Sequence, residues 1–159
     1  MLIGAQDVNE YQKSWLNNFF KNKVLRHIAP ILIDKKTDLI ARLQDSSTYL
    51  IVQIQRAGKA NKYAVVEVPT GSVPRFIQIP PEKSRKRKYI ILLDDIIKLN
   101  LERVFKGFIN FDELTSYSFK MTRDAEYEIN DELDESYMEQ MSEGMKQRLI
   151  AKPAVSYTH

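Results

Sequence analysis

Tyr49-Leu-Ile-Val-Gln-Ile-Gln55 and Lys62-Tyr-Ala-Val-Val-Glu-Val68 are two β-branched and aromatic runs separated by Arg56-Ala-Gly-Lys-Ala-Asn61. Runs of this length and composition, joined by a polar loop containing glycine, predict an antiparallel hairpin. Pro69, Gly71 and Pro74 then break the chain. Residues 75–79 predict a third strand and residues 88–93 a fourth, with a proline pair and a basic cluster between them. Leu114-Thr-Ser-Tyr-Ser-Phe-Lys-Met-Thr122 alternates with period two from Tyr117, placing Tyr117, Phe119 and Met121 on one face of another half-buried strand.

Helical spacing appears on both sides of these strands. Residues 7–28 predict one amphipathic helix with Tyr11, Trp15, Phe19 and Phe20 as its packing face, ended by Pro30. Asp94 or Asp95 is expected to cap a second helix carrying Ile97, Leu101, Val104 and Phe105, stopped by Gly107. A last helix is expected over residues 133–149, acidic early and basic late, an order that suits the helix dipole. Residues 31–43 carry no clear signal. Hairpins followed by segregated helices indicate an α+β fold with a small antiparallel sheet packed with helices.

The chain has 159 residues, the size of one domain, and its 43% hydrophobic and 28% charged residues are ordinary for a globular chain. One compact unit is expected, with residues 1–30 as a leading helix and residues 31–159 as the body. Without cysteine there is no disulfide, thiolate zinc site or cysteine nucleophile. No signal-peptide pattern opens the sequence and no apolar run approaches a bilayer span, so a cytoplasmic protein is expected.

The net charge of +3 conceals an asymmetry. Five of the seven residues from 82 to 88 are cationic (Lys83, Arg85, Lys86, Arg87 and Lys88), whereas residues 124–143 hold nine acids and no Lys or Arg. A cationic loop of this density suits a polyanion, because each phosphate neutralised by Lys or Arg releases condensed counterions. The candidate polyanion-binding residues are these five together with Arg75 and Arg123. Solvated surface charge, and for Arg123 an ion pair with Asp124 or Glu126, are the competing structural readings.

Catalytic chemistry is missing from the pattern. His27 falls at the end of the first helix and His159 at the last position, and neither belongs to a nucleophile or zinc motif. No Gly-rich phosphate loop occurs. The pairs Asp94/Asp95 and Asp131/Glu132 sit where helix caps are expected. By its residues this is a non-catalytic module, with no catalytic and no metal-ligating residue assigned.

At Tyr117-Ser-Phe-Lys-Met-Thr-Arg-Asp-Ala-Glu-Tyr-Glu-Ile129 the chain resembles the head domain of bacterial polyphosphate kinases, in which an aromatic strand runs into Thr-Arg-Asp-Ala-Glu/Asp and an acidic stretch. Pro74-Arg-Phe-Ile77, Tyr89-Ile-Ile-Leu-Leu-Asp-Asp-Ile-Ile97, Gln12-Lys-Ser-Trp-Leu-Asn-Asn-Phe-Phe20 and Ile28-Ala-Pro-Ile-Leu-Ile-Asp34 extend the resemblance over nearly the whole chain. The resemblance implies a PX-like head domain cut from a longer phosphotransferase. That enzyme passes the terminal phosphate of ATP reversibly to polyphosphate through a phosphohistidine, with Mg²⁺. Its catalytic histidines lie in phospholipase-D-like domains beyond this piece, so ATP and Mg²⁺ are implied for the parent enzyme and no cofactor for the fragment. The implied role is dimer assembly and tunnel architecture, inactive alone. The implied partners are the other domains, the second subunit and polyphosphate, with neither nucleic acid nor membrane. Pro80-Pro81 beside the basic cluster supports an alternative, a PX-like phosphoinositide or anionic-membrane module.

Overall fold

The computed structural model describes residues 1–122 and the strand at 154–157. The chain falls into two compact units, residues 1–28 with 68–110, and residues 29–67 with 111–159. The α+β class stands, with two small sheets rather than one, antiparallel except for a single parallel pair.

In the second unit the hairpin forms as its composition dictates. Strands β3 (Thr48–Gln55) and β4 (Lys62–Glu67) pair antiparallel, Ile51 opposite Val65 and Val52 opposite Ala64. Gly58, at φ +72°, takes the left-handed conformation the turn requires. Strand β7 (Glu113–Thr122) pairs with the other edge of β3, and β2 (Ile31–Ile33) with the far edge of β4. Strand β8 (Ala154–Tyr157) pairs with β7, giving the order β2-β4-β3-β7-β8.

The alternation in β7 works as its sequence predicts. Phe119 and Met121 are buried with Tyr49, Ile51, Tyr63 and Val65, and Tyr117 packs against them. Cross-strand partners Tyr49 and Phe119 stack with ring centroids 5.5 Å apart. Residues 31–43, without a clear sequence signal, supply β2 and the one-turn helix α2 (Leu39–Arg42), capped by Asp38. Between these, Asp34 Oδ1 accepts hydrogen bonds of 2.8 Å from Lys36 N and from Thr37 Oγ1. The Thr37 hydroxyl, and then the Lys36 amide, hold the Asp34 carboxyl below its ordinary pKa.

The first unit contains helix α1 (Glu10–Phe19), which opens with a reciprocal cap: Gln12 N donates to Asn9 Oδ1 and Asn9 N to Gln12 Oε1. The single helix expected over residues 7–28 changes pitch twice. Leu25 N reaches back five residues to Phe20 O in a π turn, and residues 25–27 tighten into a 3₁₀ turn. The expected packing face is rotated by one residue. Gln12, Leu16, Phe20 and Val24 are buried, while Tyr11 is 42% exposed and Trp15 stacks on Phe19 at 5.3 Å, both half-buried.

Strands β5 (Phe76–Ile79) and β6 (Tyr89–Leu92) form the expected antiparallel pair, joined on the far side of β6 by β1 (Leu2–Ile3), which runs parallel to it. Ile3, Ile77, Ile79 and Ile91 are all buried. Leu93 N donates to Arg75 O and Ile90 N to Met1 O. Odd residues of β6 therefore bond β5, and Phe76 and Gln78 turn their backbone N–H and C=O to the open edge. Pro74 and Pro80 bound that edge.

The chain passes from β6 into helix α3 (Leu93–Leu99) without a loop, so Leu92 occupies the cap position and Asp94 and Asp95 lie in the first turn. Neither caps the helix by a side chain, contrary to the sequence expectation; both carboxylates still favour that end of the dipole. Asn100 interrupts the helix and α4 (Leu101–Phe105) follows, ending at Gly107 with φ +80° as expected. The expected helix over 133–149 lies outside the described residues.

Replacing Phe20 by Ala should cost about 3–5 kcal/mol, whereas Tyr11→Ala should cost under about 1 kcal/mol. Urea unfolding of both variants checks the rotated stripe; a loss at Tyr11 as large as that at Phe20 would show that Tyr11 is packed after all. The folded-state pKa of Asp34 lies below the unfolded value, so its stabilisation is complete above pH of about 4 and is lost as pH falls through the folded pKa. The urea midpoint of Asp34→Asn should trail the parent chain at pH 6 and converge with it in acid.

Candidate polyanion site

The basic cluster occupies the loop between β5 and β6. Its Pro80-Pro81 start cannot supply backbone donors, and a turn follows in which Arg85 N donates to Glu82 O at 2.8 Å. Lys83, Arg85, Lys86, Arg87 and Lys88 are all exposed, and among the described residues none forms an ion pair. The loop base is fixed instead through backbone: Met1 N donates to Lys88 O, alongside the Ile90 to Met1 bond. Five exposed cations on one short loop concentrate positive charge at this end of the sheet.

Arg75 does not join them. It is exposed but sits beyond the other end of β5, beside Leu93, and the strand separates it from Pro80 by roughly 15 Å of extended chain. Arg123 lies outside the described residues, as do Asp124, Glu126, the acidic run over 124–143, the Asp131/Glu132 pair and His159.

The remaining titratable candidates have structural surroundings. Asp95 is half-buried; burial raises its pKa, and the Lys98 ammonium at 3.7 Å opposes the rise more than neighbouring Asp94 adds to it. His27 is exposed in the last turn of its helix and accepts a hydrogen bond from Arg26 Nε at 3.2 Å through Nε2. Among the described residues no three His, Asp or Glu side chains are grouped to hold a metal, and no helix is long and apolar enough to cross a membrane.

Sequence reasoning missed the outer face of the small sheet, where Leu2, Phe76, Ile90 and Leu92 share one side. The unbroken apolar run Tyr89-Ile-Ile-Leu92 carries the signal, since a strand with one solvated face alternates.

The family profile described as "Polyphosphate kinase middle domain" matches residues 11–155. The chain belongs to the polyphosphate kinase family. It is 49% identical over 152 residues to the polyphosphate kinase of Salmonella typhimurium and 48% identical to that of Escherichia coli K12, in each case covering 96% of this chain and 22% of the relative. The crystal structure of polyphosphate kinase from Porphyromonas gingivalis superposes with a TM-score of 0.66 at 27% identity, covering 84% of this chain and 22% of that one. The chain thus spans about a fifth of these polyphosphate kinases, and the family read from the sequence stands.

Because the side chains of these cations are exposed and form no ion pair among the described residues, changing Arg85, Lys86, Arg87 and Lys88 together to Ala should alter the unfolding free energy by less than about 0.5 kcal/mol. A larger loss in urea titration would mean that the cluster supports the fold.

Proposed function

We propose that this chain is the middle, non-catalytic part of a longer polyphosphate kinase, inactive alone, which assembles the enzyme's subunits and borders the path of the polyphosphate chain. The cationic loop contacts that polyphosphate. What carries this reading is the exposure of five cations on one loop with no carboxylate partner among the described residues, in a family whose relatives are named polyphosphate kinases.

Phosphoryl transfer depends on positioning and on neutralising phosphate charge, so a domain without a nucleophile can still influence its rate. In the whole enzyme, located in the cytoplasm, Mg²⁺ would neutralise charge on ATP. Both the metal and the phosphohistidine belong, on this reading, to the rest of the polypeptide, as the family resemblance implies. Here Lys83, Arg85, Lys86, Arg87 and Lys88 would hold an extended phosphate chain by charge-assisted hydrogen bonds. Arg75, at the far end of β5, takes no part in that contact. A second reading, a PX-like module for anionic lipid headgroups, draws on the exposed Pro80 and Pro81 next to the same cations.

Titrating the chain with long-chain polyphosphate at low salt should show binding that weakens steeply as salt rises. The fourfold Ala variant of residues 85–88 should bind about tenfold more weakly or worse, and Arg75→Ala should bind as the parent does. Unchanged affinity in the fourfold variant removes the loop's role. Equal retention on phosphatidylserine vesicles and on polyphosphate would favour the lipid reading. Translating the open reading frame beyond these residues tests the longer-enzyme reading separately.

A further inference from the structure

The cations of the loop differ in how firmly the backbone beneath them is held, and the difference comes from the strands on either side of β6. Lys88 immediately precedes that strand, and its carbonyl accepts a hydrogen bond of 2.9 Å from Met1 N. Ile90 N donates to Met1 O at 2.8 Å, so the two bonds form a ladder step with β1 on one side of Tyr89, while Ile79 of β5 pairs with it on the other. The backbone of Lys88 is therefore fixed by folding. Alternation along the strand puts its side chain on the same side as Ile90 and Leu92.

The other lysines of the loop stand on freer backbone. Arg85 N bonds to Glu82 O, which closes a turn around Lys83 but ties it only to its own loop. Among the described residues no backbone hydrogen bond joins Lys86 or Arg87 to a neighbouring strand. A polyanion that grips these residues must offset the freedom they lose, whereas at Lys88 the backbone is already ordered before anything binds.

We infer that Lys88 is the anchoring cation of the loop, the one that fixes where a polyphosphate chain is held, while Lys83 and Lys86 add attraction without a fixed position. This assignment rests on the polyphosphate contact proposed above. The side chain of Lys88 leaves the sheet beside Ile90, and apolar neighbours screen a charge pair less than open water does. It is exposed and forms no ion pair among the described residues, so nothing there competes with a phosphate for its ammonium.

A loop acting by charge count alone would lose the same affinity whichever lysine was neutralised. Replacing Lys by Gln keeps much of the stem and removes the charge. In titrations of this chain with fluorescently labelled long-chain polyphosphate at low salt, Lys88→Gln should weaken binding about fivefold or more, and Lys83→Gln and Lys86→Gln less than about twofold each. Lys88→Arg, which returns the charge to the same backbone position, should bind within about twofold of the parent. The Met1 amino group is common to all four variants, so its charge cancels from the comparison.

Equal losses at positions 83, 86 and 88, or a larger loss at 83 or 86, overturn the anchoring role and leave the loop as a diffuse polyphosphate contact. A loss in Lys88→Gln that Lys88→Arg fails to restore marks a structural effect of the substitution and also overturns it. If the fourfold Ala variant of residues 85–88 binds as the parent does, the polyphosphate contact itself is defeated, and the anchor with it.

Discussion

The two-residue pleat shared by β5 and β6 is the constraint on which the first unit's surface depends. It sends Ile77, Ile79 and Ile91 inward together. A slip of β5 by one residue against β6 would expose Ile77 and Ile79 and turn Phe76 and Gln78 inward, at about 1.5–3 kcal/mol for each isoleucine. The strands themselves therefore hold the register, and the connecting loop is released from that task. Residues 80–88 can then concentrate positive charge, with its mutual repulsion, at no risk to the pairing.

The same pleat assigns three surfaces at once. One face is buried, the opposite face stays apolar and open, and the loop end carries the cations. The cationic loop and the apolar face thus occupy different parts of a single small sheet.

Much of this was legible in the residues. The β-branched runs of β3 and β4 and the alternation of Tyr117, Phe119 and Met121 describe their strands directly, because side-chain period and burial coincide there. The stripe of α1 was legible only in part. Large aromatics dominate a helical pattern read by eye, yet Trp15 and Phe19 cover each other at the helix margin while Gln12, a polar residue, is buried through its capping bond. Strand β1 has two residues and so no period to detect. Strand β8 closes a sheet through pairing with a strand far away in sequence, and nothing local announces it. The cationic loop was visible in composition, but the separation of Arg75 from it depends on which way β5 runs.

The prolines around β5 bear on how the protein stays a discrete particle. An open strand edge is a template on which further strands can add without limit. Here only Phe76 and Gln78 present backbone groups at the edge, and Pro74 and Pro80 stop the ladder from lengthening in either direction. A foreign strand would find a foothold two residues deep, too short to compete with the several-residue pairings that make a sheet durable. The exposed apolar face is thus coupled to an edge that resists propagation.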